Sequence, residues 1–263
     1  QRKQEGVVGR VTASLSEILG WCSKNGQAMI PAELKKYLAT LLREEPDHPY
    51  TEACKRDGEE RINENIKELL SQASKITGTP CCHLLKSLDF DSRDRDPERI
   101  QSVFAVLRTI IVLAHELDFV EIRPLPRQQD SREADLLAVY QGTGFAIEVA
   151  RSSEKALRFP GLIRGDFYKY IESRWAEKEP QIRASMRCYG CERGMLAVVL
   201  DSGPMKHGMM TPEELSTFVT EAFERIYWGH DLHLLVFTGE IYWSKGEPTP
   251  MTAVVPPLDM VGR

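Results

Sequence analysis

Two acids stand where chemistry could be done. Asp135 and Glu148 flank the segment Gln141-Gly142-Thr143-Gly144, in the runs Glu133-Ala134-Asp135-Leu136-Leu137-Ala138-Val139-Tyr140 and Gly144-Phe145-Ala146-Ile147-Glu148-Val149-Ala150. The glycine-bearing segment between two apolar runs is a hairpin signal, so residues 135–140 and 145–150 are predicted as neighbouring strands. Side chains alternate faces along a strand. Glu148 therefore shares a face with Ala146 and Ala150, while Phe145, Ile147 and Val149 turn the other way into a core. An acid among small residues has room for a ligand beside it. A buried carboxylate without a partner is costly, so a cation or a hydrogen-bond donor has to meet it. Acids at strand ends also serve as plain surface or salt-bridge groups, and the pair alone does not decide between these uses.

The remaining candidates are weaker. Cys188-Tyr189-Gly190-Cys191 is a CxxC, and Cys81-Cys82-His83 could complete a four-ligand zinc site, but a second CxxC is missing and free thiols are the expectation. Six cysteines in 263 residues, with no secretion signal, do not suggest a disulfide scaffold. His207, His230 and His233 are expected to be structural, and Trp175, Trp228 and Trp243 to pack rather than stack on bases. Gly142-Thr143-Gly144 is too short for a phosphate loop.

The elements that must position the acids follow from the pattern. Asp96 and Pro97 open a predicted helix over 96–117 with one strongly apolar face. A strand over 119–125, a polar loop over 127–132 and the hairpin come next. A long helix over 161–186, perturbed at Pro180, leads to an apolar strand over 195–200. A helix over 212–227 capped by Thr211, a strand over 232–237 and edge strands over 241–243 and 253–255 complete the chain. Earlier, residues 11–21, 31–42 and 57–73 have helical apolar spacing, with a polar, proline-containing break at 44–49. The charge-rich stretch 89–96 marks a soft boundary between a helical region, 1–96, and a second region, 97–263. The order αβββαβαβ predicts an α/β (α+β) fold, a mixed central sheet flanked by helices on both faces; the hairpin argues against a purely parallel sheet.

Apolar residues make up 42% of the chain and charged residues 28%, as in folded globular domains. The apolar stretch 110–114 is far too short to span a bilayer, and no basic-then-apolar segment opens the sequence. No membrane association and a cytoplasmic or nuclear location are therefore expected. Net charge is −5, whereas proteins that grip phosphates usually carry a basic surface. A nucleic-acid site must then be a local patch, or a protein partner or homo-oligomer must supply affinity.

The element order and the two quoted runs resemble the PD-(D/E)XK, or restriction-endonuclease-like, nuclease superfamily over about 160 residues. The resemblance implies a metal-dependent nuclease that hydrolyses phosphodiesters of DNA or RNA. It puts Mg²⁺ or Mn²⁺ on Asp135, Glu148 and the carbonyl of Val149, with Glu116 or a nearby residue as the acid of the preceding helix. Such hard ions prefer oxygen ligands, activate water and neutralise the charged transition state. The sequence departs from the motif twice: Ala134 replaces its proline, and Ala150 replaces the lysine two residues after the second acid. Arg151 is adjacent but of the wrong parity. Some relatives, viral cap-snatching endonucleases among them, supply the lysine from the following helix. Lys155, Arg164 and Lys169 are the candidates here, with Lys169 preferred. Some nucleases of the superfamily carry iron–sulfur clusters on flanking cysteines; neither zinc nor a cluster is expected on Cys188 and Cys191. The rival expectation is a catalytically inactive pseudonuclease, a nucleic-acid-binding or scaffold subunit of a larger complex. Ala150 and the acidic balance favour it, whereas retention of both acids favours the enzyme.

Overall fold

The structure, a computed structural model, describes residues 30–94, 96–126, 133–152, 164–200, 211–226, 229–238 and 251–258. The predicted helix over 11–21, the loop over 127–132 and the strand over 241–243 lie outside the described residues, as do Lys155, His207, Trp228 and the side chain of Arg164.

Among the described residues four helices come first: α1 (Ala32–Glu44), α2 (Pro49–Asp57), α3 (Glu59–Thr77) and α4 (Cys81–Ser87). They are followed by α5 (Pro97–His115), β1 (Val120–Pro124), β2 (Leu136–Tyr140), β3 (Thr143–Arg151), α6 (Arg164–Tyr189), β4 (Arg193–Leu200), α7 (Pro212–Arg225), β5 (Leu232–Thr238) and β6 (Thr252–Val255). The six strands among the described residues form one sheet in chain order. β3, β4 and β5 run parallel, and the other neighbours pair antiparallel. A mixed sheet in an α/β protein is therefore what the chain forms, with β6 added at an edge.

Local signals explain most of the ends. Asp96 accepts a hydrogen bond from the Glu98 N–H at 3.0 Å as the cap of α5. Thr211 and Glu214 form a reciprocal capping box at α7. The β2–β3 hairpin turns on two residues, Gln141 and Gly142, whose φ angles of 48° and 82° are both left-handed. That two-residue turn matches the right-handed twist of the flanking strands, which is why a glycine sits in it. α6 runs through the exposed Pro180 and ends as a Schellman motif: Gly190 has φ 67°, and the Cys191 N–H donates to the Met186 carbonyl at 2.9 Å.

Both faces of the sheet are covered. Leu136, Ala138, Phe145, Ile147 and Val149 pack with α5 and the four preceding helices in one continuous core, which includes Leu34, Tyr50, Ile66 and Phe104. Leu196, Val198, Leu234 and Val236 pack on the opposite face against α6 and α7, through Phe167, Ile171, Trp175, Leu215 and Val219. The central strands β4 and β5 are buried on both sides, and so read as unbroken apolar runs rather than alternating ones. Gly194 lets α6 approach β4: a Cβ there would stand 2.4 Å from Cγ2 of Ile182 and 2.6 Å from Cδ2 of Leu232.

The start of α2 carries a pH dependence. His48 is its N-cap, and its buried ring accepts the Tyr50 N–H on Nδ1 at 3.1 Å, a bond that only the neutral ring can make. Burial lowers its pKa from 6.5 to about 4. Below 6.5 the unfolded chain binds a proton that the folded chain refuses. The stability is whole above pH 6.5 and is lost as pH falls towards 4, by roughly 3 kcal/mol in all. Burial also lowers the His233 pKa, which adds a smaller loss of the same sign. His48→Asn keeps a capping acceptor without a titrating ring. Denaturation midpoints between pH 7 and pH 4 should accordingly fall much less in this variant. An unaltered pH profile would exclude His48 as the source.

Candidate active site

The β2–β3 ladder ends at Leu136 and Ile147; Asp135, expected to open the strand, stands instead in the bend just before β2, and Glu148 is the next residue along β3. Glu148 turns towards α6, where Lys178 meets it, and Asp135 lies near enough for its charge to bear on Lys178. Asp135 is held by the main chain. The Val149 N–H donates to its Oδ2 at 2.9 Å, and its own carbonyl accepts the Leu125 N–H of the segment after β1 at 2.9 Å. The N–H and C=O of one strand residue point to the same edge, so the Val149 carbonyl is turned to the Asp135 side as well. Only 3% of Asp135 and 2% of Glu148 is exposed.

A lysine meets the acids. Lys178 Nζ lies 2.8 Å from Glu148 Oε1, on a side chain 16% exposed. Burial alone would lower its pKa. The Glu148 charge and hydrogen bond, followed by the charges of Asp135 and Glu177, outweigh that and hold the ammonium above the usual lysine range. Seven residues on, one face of α6 makes a second attachment, where Ser185 Oγ accepts the Ala134 N–H at 2.7 Å. Phe167, Ile171, Trp175, Lys178, Ile182 and Ser185 follow the spacing of one helical stripe. The apolar docking of α6 therefore carries Lys178 and Ser185 to the strand end that bears Asp135. From the α5 side a small crevice lined by Leu88, Arg99, Ser102, Val103 and Leu125 also reaches Asp135.

Asp135, Glu148 and Val149 are brought together, but two other sequence-predicted residues are not. Glu116 is exposed at the C-terminal end of α5, four residues before Val120. Val120 pairs with Val139, so Glu116 belongs to the hairpin end of β2, four strand residues or about 13 Å from Asp135. The α5 acid at the other end is Glu98, which binds Arg151 at 2.9 Å; Arg151 thus turns away from Glu148, as its parity predicts. Lys169 is exposed. It lies nine residues from Lys178, two and a half turns and about 14 Å along the helix, which puts it on the opposite side of α6. Sequence reasoning missed Lys178. Its signal was a lysine inside the apolar stripe of a helix. Ala150 itself is buried in the cluster containing Phe167, Ile171 and Trp175.

Cys188 is exposed in the last turn of α6, and partly buried Cys191 follows Gly190; burial raises the Cys191 thiol pKa. His233 packs on Phe145 with ring centroids 5.4 Å apart and faces the Pro256 carbonyl with Nδ1 at 3.0 Å. Among the described residues, no group of three or more His, Cys, Asp or Glu side chains is placed to hold a metal ion, and no helix is long and apolar enough to cross a membrane. No family model, curated protein or solved structure matches the chain. The fold and the site define a mixed α/β protein with a buried Asp–Glu–Lys cluster between β2, β3 and α6.

Proposed function

We propose that this chain is a metal-dependent nuclease with a restriction-endonuclease-like core, in which Lys178 takes the role of the lysine that the PD-(D/E)XK motif carries at the position of Ala150. The observation that carries this reading is Lys178 Nζ at 2.8 Å from Glu148 Oε1, with Asp135 in the bend one residue before the Leu136–Ile147 pair. The two acids and the lysine that this chemistry requires stand together in one cluster. Two carboxylates and the Val149 carbonyl are oxygen donors suited to Mg²⁺ or Mn²⁺, even though only two acidic side chains contribute. When bound, the ion would polarise water and neutralise charge on a phosphodiester of DNA or RNA. Asp135, fixed by the Val149 N–H, and Glu148 are the residues that would hold it. Lys178 supplies positive charge towards the phosphate.

The second reading is a pseudonuclease that binds nucleic acid or a partner without cutting. The near-complete burial of both acids and the net charge of −5 favour it. The two readings part on cleavage of single- and double-stranded DNA and RNA. Activity should appear with Mn²⁺ or Mg²⁺ and vanish with a chelator, and Lys169→Ala should leave it unchanged because Lys169 lies on the far side of α6. A pure, folded protein that cuts none of the four substrates with Mn²⁺, alone or with its natural partner, would remove the enzyme reading.

A further inference from the structure

We infer that the crevice on the α5 side of Asp135 is a binding site for a single ordered water, which accepts a hydrogen bond from Arg99 Nε and donates one to the Asp135 carboxylate. Three parts of the chain supply its walls: Ser87 and Leu88 at the end of α4, Arg99 and Ser102 on α5, and Asp135 just before β2. About 10 Å³ is open to the centre of a water-sized sphere. That is close to the least that one water requires, and too little for a larger ligand.

The polar groups at the walls need what a water offers. Arg99 holds Asp89 through a terminal nitrogen, but its Nε is buried and has no hydrogen-bond partner among the described residues. Oδ2 of Asp94, at 3.8 Å, is beyond hydrogen-bond range of that Nε. A buried N–H left without an acceptor is costly, and an ordered water is a common remedy. Asp135 is only 3% exposed and receives the Val149 N–H on Oδ2; a carboxylate accepts several donors at once. Ser102 and Ser87 donate their hydroxyls to the carbonyls of Glu98 and Leu84, each at 2.8 Å, and a hydroxyl oxygen that donates can still accept. The crevice thus presents a donor on one side and acceptors on the others. A cation is repelled there by the Arg99 guanidinium and an anion by Asp135, whereas a neutral molecule that accepts and donates satisfies both. The water ties Asp135 to α5 as the Val149 N–H ties it to β3. It belongs to the folded chain whether or not that chain cleaves nucleic acid.

Water-to-protein Overhauser spectra of the ¹⁵N-labelled full chain test this. In the rotating frame, direct contact with a bound water and proton exchange with solvent give cross-peaks of opposite sign. The Arg99 Nε–H should show the direct cross-peak. Its absence, or an exchange peak alone, would overturn the bound water. Ser102→Val fills the crevice and removes one acceptor, so the direct cross-peak should be lost. Its survival in the folded variant would place the water elsewhere and overturn the crevice as its site. A crystal structure of the unaltered chain gives a second measurement that depends on no variant. It should hold one water within roughly 2.7–3.2 Å of both Arg99 Nε and an Asp135 oxygen. Arg99 Nε turned onto a protein acceptor, with no water between it and Asp135, would overturn the bridge.

Discussion

Under the proposed nuclease function, Asp135→Asn and Glu148→Gln are each expected to lower divalent-dependent cleavage by about 10³-fold or more, because each would remove one of two carboxylates from an ion whose contribution would be worth several kcal/mol of barrier. Their effects on folding should differ. The Val149 N–H now donates to Asp135 Oδ2 at 2.9 Å, and an asparagine side chain at this position would still offer it an oxygen, so Asp135→Asn should leave the denaturation midpoint nearly unchanged. Glu148→Gln keeps the shape but strips Lys178 of its charge partner, and it should lose stability as well as activity. Cleavage rates and denaturant midpoints measured on the same samples separate the two effects. Full activity in folded Asp135→Asn would exclude Asp135 from the site.

Lys178→Met is expected to cost about 3–5 kcal/mol of stability, since removing one partner of a buried ion pair leaves the other charge uncompensated. Glu148 is 2% exposed, so water cannot take over from the ammonium. The double variant Lys178→Met/Glu148→Gln should recover most of that loss, because it removes the buried charge with its partner. Chemical denaturation of the two single variants and the double variant measures the coupling. Additive losses would mean that Lys178 and Glu148 do not act as a pair. Cleavage should stay low in the double variant even where the fold returns, which distinguishes a role in chemistry from one in holding the sheet to α6.

The mixed sheet and its central hairpin were largely legible because their signals are local. Alternation along residues 135–140 and 145–150 around the segment 141–144 indicates an antiparallel pair, and the structure forms it on a tighter turn, Gln141 and Gly142 alone, so that Tyr140 pairs with Thr143. The caps at Asp96 and Thr211 were legible for the same reason: a short side chain bonds to an N–H two or three residues on. The short helices α2 and α4 were not marked out. Nine and seven residues are too few for an apolar period to stand out, and tertiary packing sustains them.

The sequence by itself indicated that Asp135 and Glu148 belong to two neighbouring strand segments joined by a turn. Alternating apolar residues on either side of a glycine-bearing segment carry that signal, whereas the two-residue turn that sets their register was decided by the structure. Only the tertiary structure decided which basic residue joins them and which helical acid does not. Lys178 lies thirty residues from Glu148, and its arrival depends on the rotation of α6 about its own axis. That rotation is set by Phe167, Ile171, Trp175 and Ile182 seeking the apolar face of the sheet. Lys169 shares the helix, yet points the other way. Glu116 shares its helix with Glu98, but the direction of β1 leaves it at the wrong end of β2. Helical periodicity fixes angles within one element; the choice among lysines was made by the side of α6 on which burying apolar surface was most favourable.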